Sequence, residues 1–205
     1  MIKNIFKIII ISLFFTQSFS AELVLDNKFY KVIYDTKLNS ALKVSYILDE
    51  KVNKKNISKR PTFKKDERLL NGIKPSDYLH SGFDKGHLAS DASFDWSEES
   101  LESVYLMSNI VPQYKKINEG IWRKLENKER ELALKYKKIS VVNLVEFSKN
   151  PKKIKGKIPI PKSFVKIIQT PYNVECYRVL NRNKNYTLRN TKLKNCSNLD
   201  NLKGA

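Results

Sequence analysis

The chain has 205 residues, enough for one domain with a short extension and too few for a multidomain assembly. It carries 39 Lys and Arg against 21 Asp and Glu, a formal net charge of +18, which turns attention from cationic partners to polyanions. Two cysteines argue against a disulfide-rich scaffold, and with no His or second Cys beside either one, against a zinc site.

Residues 1–20 have the pattern of a secretory signal peptide. Lys3 and Lys7 give a positive start, Ile8 to Phe15 a short apolar core, and Ser18 and Ser20 small residues ahead of a cut before Ala21. The apolar run falls short of the roughly 20 residues that cross a bilayer. The expected organisation is therefore a signal over 1–20 and one domain over 21–205, exported to a bacterial periplasm or beyond, with no membrane partner after cleavage.

In the mature part, Lys31–Tyr34 and Leu42–Leu48 are predicted strands from their β-branched and aromatic content. Residues 49–80, broken by Pro61, Gly72 and Pro75, are expected to form a long polar surface loop. Phe83 to His87 should end a strand or form an extended turn, with Gly86 letting the backbone bend so that His87 faces a cleft. The acidic stretch 91–102 is expected to be a solvated loop or short helix. Val104–Val111 is a predicted strand stopped by Pro112. Residues 118–137 form the predicted helix, with Ile121, Leu125, Leu132 and Tyr136 along one side. Three strands should follow, Ile139–Phe147, Phe164–Gln169 and Cys176–Leu180. The order gives an α+β class: an antiparallel β-sheet flanked by helices.

Charge is unevenly placed. Residues 21–113 hold 14 basic and 14 acidic side chains, whereas residues 114–205 hold 23 basic and 7 acidic. A half-molecule of one sign is the footprint of a polyanion partner. Cys176 and Cys196, 20 residues apart in an exported chain, suggest one disulfide.

Candidate chemistry gathers at two motifs. Asp84-Lys85-Gly86-His87 offers an imidazole whose ordinary pKa lies near neutrality, suited to taking a proton from an attacking water. Asn118, at the start of the helix, is either an N-cap or a neutral oxygen ligand for Mg²⁺, which prefers hard oxygens and keeps several waters. Asn118, Trp122 and Glu126 fall at i, i+4 and i+8, one drifting stripe, so that Trp122 would pack under the site and Glu126 could hold a metal-bound water. Glu126 and Arg130 are also spaced as a helical ion pair. Lys85 and Arg130, and more weakly Arg60, could neutralise charge developing on a phosphoryl group.

These motifs, with Ser40–Tyr46 and Met107–Gln113, resemble the DNA/RNA non-specific endonucleases, of the ββα-metal (His-Me finger) type. The resemblance covers Lys31 to Leu180 and implies a ββα-metal motif in the fold. It implies hydrolysis of DNA and RNA phosphodiesters to 5′-phosphate products with Mg²⁺, or Mn²⁺ in its place. His87 would be the general base, Asn118 the metal ligand, Glu126 the holder of metal-bound water, and Arg130 a phosphate contact. Asn109 would lie beside the site, and Arg60 is the nearest match to a loop arginine. Lys85 departs from the family's usual Arg, keeping the charge without the planar two-pronged grip. The competing expectation is an exported basic protein that binds nucleic acid without cutting it.

Overall fold

Alternating inward and outward side chains build the central sheet. The computed structural model describes residues 22–53, 57–196 and 199; the expected signal peptide lies outside them. Strands β1 (Glu22–Asp26), β2 (Tyr30–Asp35), β3 (Ser40–Asp49), β6 (Lys138–Glu146), β9 (Ser163–Gln169) and β10 (Val174–Leu180) form one antiparallel sheet in the order β1-β2-β3-β6-β9-β10. The α+β expectation holds. So do the strands expected near 31, 42, 139, 164 and 176; β1 had not been expected.

The sheet buries both faces. On one, Val44, Tyr46, Val141, Phe164 and Ile168 pack with Trp122, Leu125 and Ala133 of the segment that becomes helix α2 (Arg123–Tyr136). On the other, Leu144, Val165, Ile167 and Cys176 pack with Leu199. Cys176 and Cys196 are joined by a disulfide, as expected. A link across a 20-residue separation stabilises by about 3 kcal/mol through the unfolded chain.

A second, two-stranded pair carries the motif. Strand β4 (Asp84–His87) runs antiparallel to β5 (Ile110–Gln113), with Asp84 opposite Gln113 and His87 opposite Ile110. After β5 the chain makes one wide π-helical turn over Ile117–Trp122 and continues as α2. This strand, strand, helix order is a ββα unit. A third pair, β7 (Lys153–Ile154) and β8 (Ile158–Pro159), forms a small hairpin.

Three local expectations are corrected. Val104–Val111 is not one strand: helix α1 (Glu98–Val104) takes its first residue, a 3₁₀ turn spans Met107–Asn109, and only Ile110–Gln113 pairs. The buried Asn109 amide enforces this break, donating to the carbonyls of Ala89 and Val104 and accepting from Ala89 N–H, all at 2.9 Å. Pro112 lies inside β5. The polar loop 49–80 is partly interior, with Asp66, Leu69, Ile73 and Tyr78 buried. Gly86 does not bend the chain; it lies within β4, and a Cβ there would overlap Cγ, Cδ and Oε1 of the buried Gln113. Glycine is needed for that close approach.

Candidate active site

The site forms where β4 meets the start of the helical segment. Trp122, fully buried, donates its indole N–H to the carbonyl of His87 at 3.0 Å. Asn118 donates its amide Nδ2 to Asp84 Oδ2 at 3.0 Å. Both ends of β4 are thereby fastened to the residues that open the helix. Asn118 lies inside the π-helical turn, whose N-cap position is Lys116, so it is not the N-cap, and its side chain bonds Asp84 instead. With Nδ2 committed, its Oδ1 is the atom left for a cation.

His87 sits between aromatic rings, 5.3 Å from Phe63 and 5.0 Å from Tyr105 between centroids. Its Nε2 is buried without a hydrogen-bond partner. Burial lowers its pKa to about 4; the Asp91 carboxylate opposes that shift and the Arg60 guanidinium adds to it. The ring is therefore neutral at pH 7, the state that accepts a proton.

Glu126 is half-buried, one helical turn beyond Trp122. Burial pushes its carboxyl up to about 8; Lys166 and Arg130 pull it down, while Glu129 and Asp91 push it further up. Arg130 does not pair with Glu126 as the i, i+4 spacing suggested. Its guanidinium donates to Asn127 Oδ1 at 2.5 Å and to Ser90 and Ser93 at 3.4 Å. Lys85 Nζ lies over the Phe63 and Tyr78 rings, at 5.2 and 5.9 Å, and forms no ion pair among the described residues. Arg60 reaches the site's edge, donating to Asp95 at 3.0 Å and pairing with Asp91 at 3.4 Å.

The sequence-predicted residues thus fall into three positions. His87 and Lys85 lie on β4 and share the Phe63 ring, Asn118 is tied to the same strand through Asp84, and Glu126 lies one turn beyond the Trp122 that bonds the His87 carbonyl. Arg60 and Arg130 border this group, each held by polar neighbours. Asn109 is buried with its amide spent on backbone, so it holds the chain beyond His87.

Other residues were not anticipated in these positions. Asp84 orients Asn118. Asp91, expected in a solvated stretch, accepts from Tyr105 Oη at 3.0 Å and faces Arg60. Beneath the site, Glu129 and Lys166 form an ion pair at 2.5 Å with neither side chain exposed. Glu129 also accepts from Tyr46 Oη and Ser93 Oγ, and Asn143 links Tyr46 to the Leu88 carbonyl. A lysine in the middle of the otherwise apolar Phe164–Ile168 run was the available signal.

Among the described residues, no group of three or more His, Cys, Asp or Glu is arranged to hold a metal. The oxygens present are the Asn118 amide, with Asp84 beside it, and the Glu126 carboxyl. This hard, sparse set fits a divalent cation that keeps most of its water, the habit of Mg²⁺.

Two strands followed by a helix, with a histidine on the first strand and an amide tied to it from the helical segment, define a ββα-metal type of fold motif. Residues 11–204 match the family model of the DNA/RNA non-specific endonucleases, and the chain belongs to that family. It is 30% identical over 115 residues to human mitochondrial endonuclease G, covering 55% of this chain and 39% of that protein. It is 34% identical over 116 residues to a nuclease of Nostoc sp., covering 55% of this chain and 42% of that protein. The matched stretches span about two fifths of those relatives. Among solved structures, an EndoG/EndoGI complex superimposes with a TM-score of 0.74 at 22% identity, covering 86% of this chain and 82% of that one. It shares the fold.

Proposed function

We propose that the protein is an exported, metal-dependent endonuclease that hydrolyses DNA and RNA phosphodiesters without sequence preference, leaving 5′-phosphates. The observation that carries this reading is the double fastening of β4 to the helical segment, Trp122 to the His87 carbonyl and Asn118 to Asp84, because it ties the strand that bears a neutral imidazole to the turn that bears an uncommitted amide oxygen.

In this reading His87 takes the proton of the attacking water. Phe63 and Tyr105 hold its ring, and the Trp122 bond fixes the backbone from which it projects. Asn118 Oδ1 and, through water, Glu126 would hold Mg²⁺ or Mn²⁺, which when bound supplies positive charge to the phosphate and to the leaving 3′ oxygen. Lys85 has no acidic partner among the described residues and would offer its ammonium to a phosphate oxygen. Arg130 and Arg60, each held by polar neighbours, would add fixed positive charge at the border of the site. Asn109 is a positioning residue.

The test is supercoiled plasmid and a structured RNA incubated with the purified mature protein and Mg²⁺, with and without chelator, alongside His87→Ala and Asn118→Ala. Cutting should require metal. His87→Ala should lose ~10²–10⁴-fold in rate, the usual worth of a general base, while still binding duplex. Asn118→Ala should need more Mg²⁺ for half activity. A metal-independent nick, or a His87→Ala rate above about a tenth of the parent's, contradicts the assignment. Binding without cutting by the intact protein would favour the non-cleaving alternative.

A further inference from the structure

Hairpin β7–β8 concentrates positive charge beside the site without neutralising it. Lys152, Lys153 and Lys155 are exposed, and none pairs with an acid among the described residues. In the neutral half, Lys28, Lys31, Lys51, Lys64 and Lys65 have acidic partners, whereas Lys85 of the site, like the hairpin lysines, pairs with no acid among the described residues. The hairpin is also firmly seated. Ile154 and Ile158 are buried with Tyr78, Met107 and Ile110, and Phe63 packs on the same cluster. Lys157 Nζ is anchored to Asp77 at 2.7 Å. Since Lys85 lies over Phe63 and Tyr78, and His87 packs on Phe63, one aromatic layer joins hairpin and site.

The turn adds a separate observation. Lys157 N–H bonds the Ile154 carbonyl at 2.9 Å across a tight turn whose two central residues, Lys155 and Gly156, have φ of +47° and +70°. Both central positions are left-handed, where Asn, Asp or Gly is the low-cost choice. The sequence places a lysine there, at the tip, accepting a conformation that favours another residue. A charge kept at that cost is a functional lead.

We propose that the β7–β8 hairpin is a phosphate clamp: Lys152, Lys153 and Lys155 hold backbone phosphates of the nucleic acid that flank the cleaved bond. The inference rests on the endonuclease reading above and adds where the substrate's flanking backbone runs. Phosphate contacts carry no base information, which suits a nuclease without sequence preference.

The experiment replaces the three lysines together in the mature protein, Lys152→Gln, Lys153→Gln and Lys155→Asn, the last chosen because Asn tolerates a left-handed turn. Binding of a 30-base-pair duplex is measured against salt in the His87→Ala background. Hydrolysis of a nitrophenyl ester of a mononucleotide, a diester with no flanking phosphates, is measured with Mg²⁺ in the active protein. Loss of three contacts should reduce the slope of log K against log salt by about 2.7, at ~0.9 per phosphate. Turnover of the small diester should stay within about twofold. An equal charge removal far from the hairpin, Lys37→Gln, Lys135→Gln and Lys138→Gln, should change the slope by less than one. An unchanged slope in the hairpin variant, or an equal loss on the small diester, overturns the clamp. So does binding to anionic vesicles that depends on these lysines while duplex binding does not. If the unaltered protein cleaves nothing, the endonuclease reading fails, and the duplex slope still decides the hairpin.

Discussion

Removing the buried ammonium of Lys166 should be among the most destabilising single changes available. Lys166→Met keeps the stem's volume and deletes the charge that faces Glu129 at 2.5 Å, with both side chains at zero exposure. Tyr46 and Ser93 still donate to the carboxylate, yet no cation touches it. Breaking such a pair from one side costs about 3–5 kcal/mol. Urea unfolding with the disulfide intact reads this as a midpoint shift of roughly 1.5–2.5 M at pH 7, for a slope near 2 kcal/mol/M. Adding Glu129→Gln removes the orphaned charge and should recover most of the loss. A Lys166→Met loss below about 1 kcal/mol at pH 7, or one that Glu129→Gln does not reduce, would refute the reasoning.

Burial holds the His87 pKa at about 4, below its unfolded value, so this residue's contribution to stability is lost as pH falls from about 6.5 to 4. The acid limb of kcat/KM should accordingly lie well below pH 6.5, and a half-point at or above 6.5 would show an accessible, ordinary imidazole. Glu126 has the opposite sign: raised to about 8, it makes the metal-free protein less stable as pH rises from about 4.5 to 8. Glu126→Gln, in chelator, should gain on the parent across that window; a gap that does not widen between pH 5 and 8 counts against this. Gly86→Ala should cost about 1–3 kcal/mol by forcing Gln113 aside, and a melting temperature within a degree of the parent's would show that Gln113 moves freely.

What was legible in the sequence was what is local. Asp84 to His87 are contiguous, and Asn118, Trp122 and Glu126 share one helical stripe, so their spacing carries their geometry. The strands that pack on both faces announced themselves by β-branched runs. Long-range partners left no such trace. Glu129 and Lys166 stand 37 residues apart in sequence, and nothing in either neighbourhood names the other. Asn109 broke the Val104–Val111 run because its amide found backbone groups at Ala89 and Val104, a contact that strand propensity cannot anticipate. Gly86 looked like a bend because glycine usually serves bends, whereas here a glutamine from the opposite strand needs the room. The β7–β8 hairpin was overlooked among prolines and lysines, although Lys155-Gly156 between isoleucines carried a turn signal.

The central sheet also acts as a partition between two kinds of chemistry. Phe164, Lys166 and Ile168 of β9 face the helical segment; Val165 and Ile167 face Cys176 and Leu199. The disulfide is thus screened from the reacting groups by a full layer of hydrogen-bonded backbone. A change in the redox state of the surroundings would loosen the tail on one side without moving the imidazole on the other. Reduction is expected to shorten how long the molecule survives while leaving how fast it works unchanged, so persistence and turnover are adjustable independently.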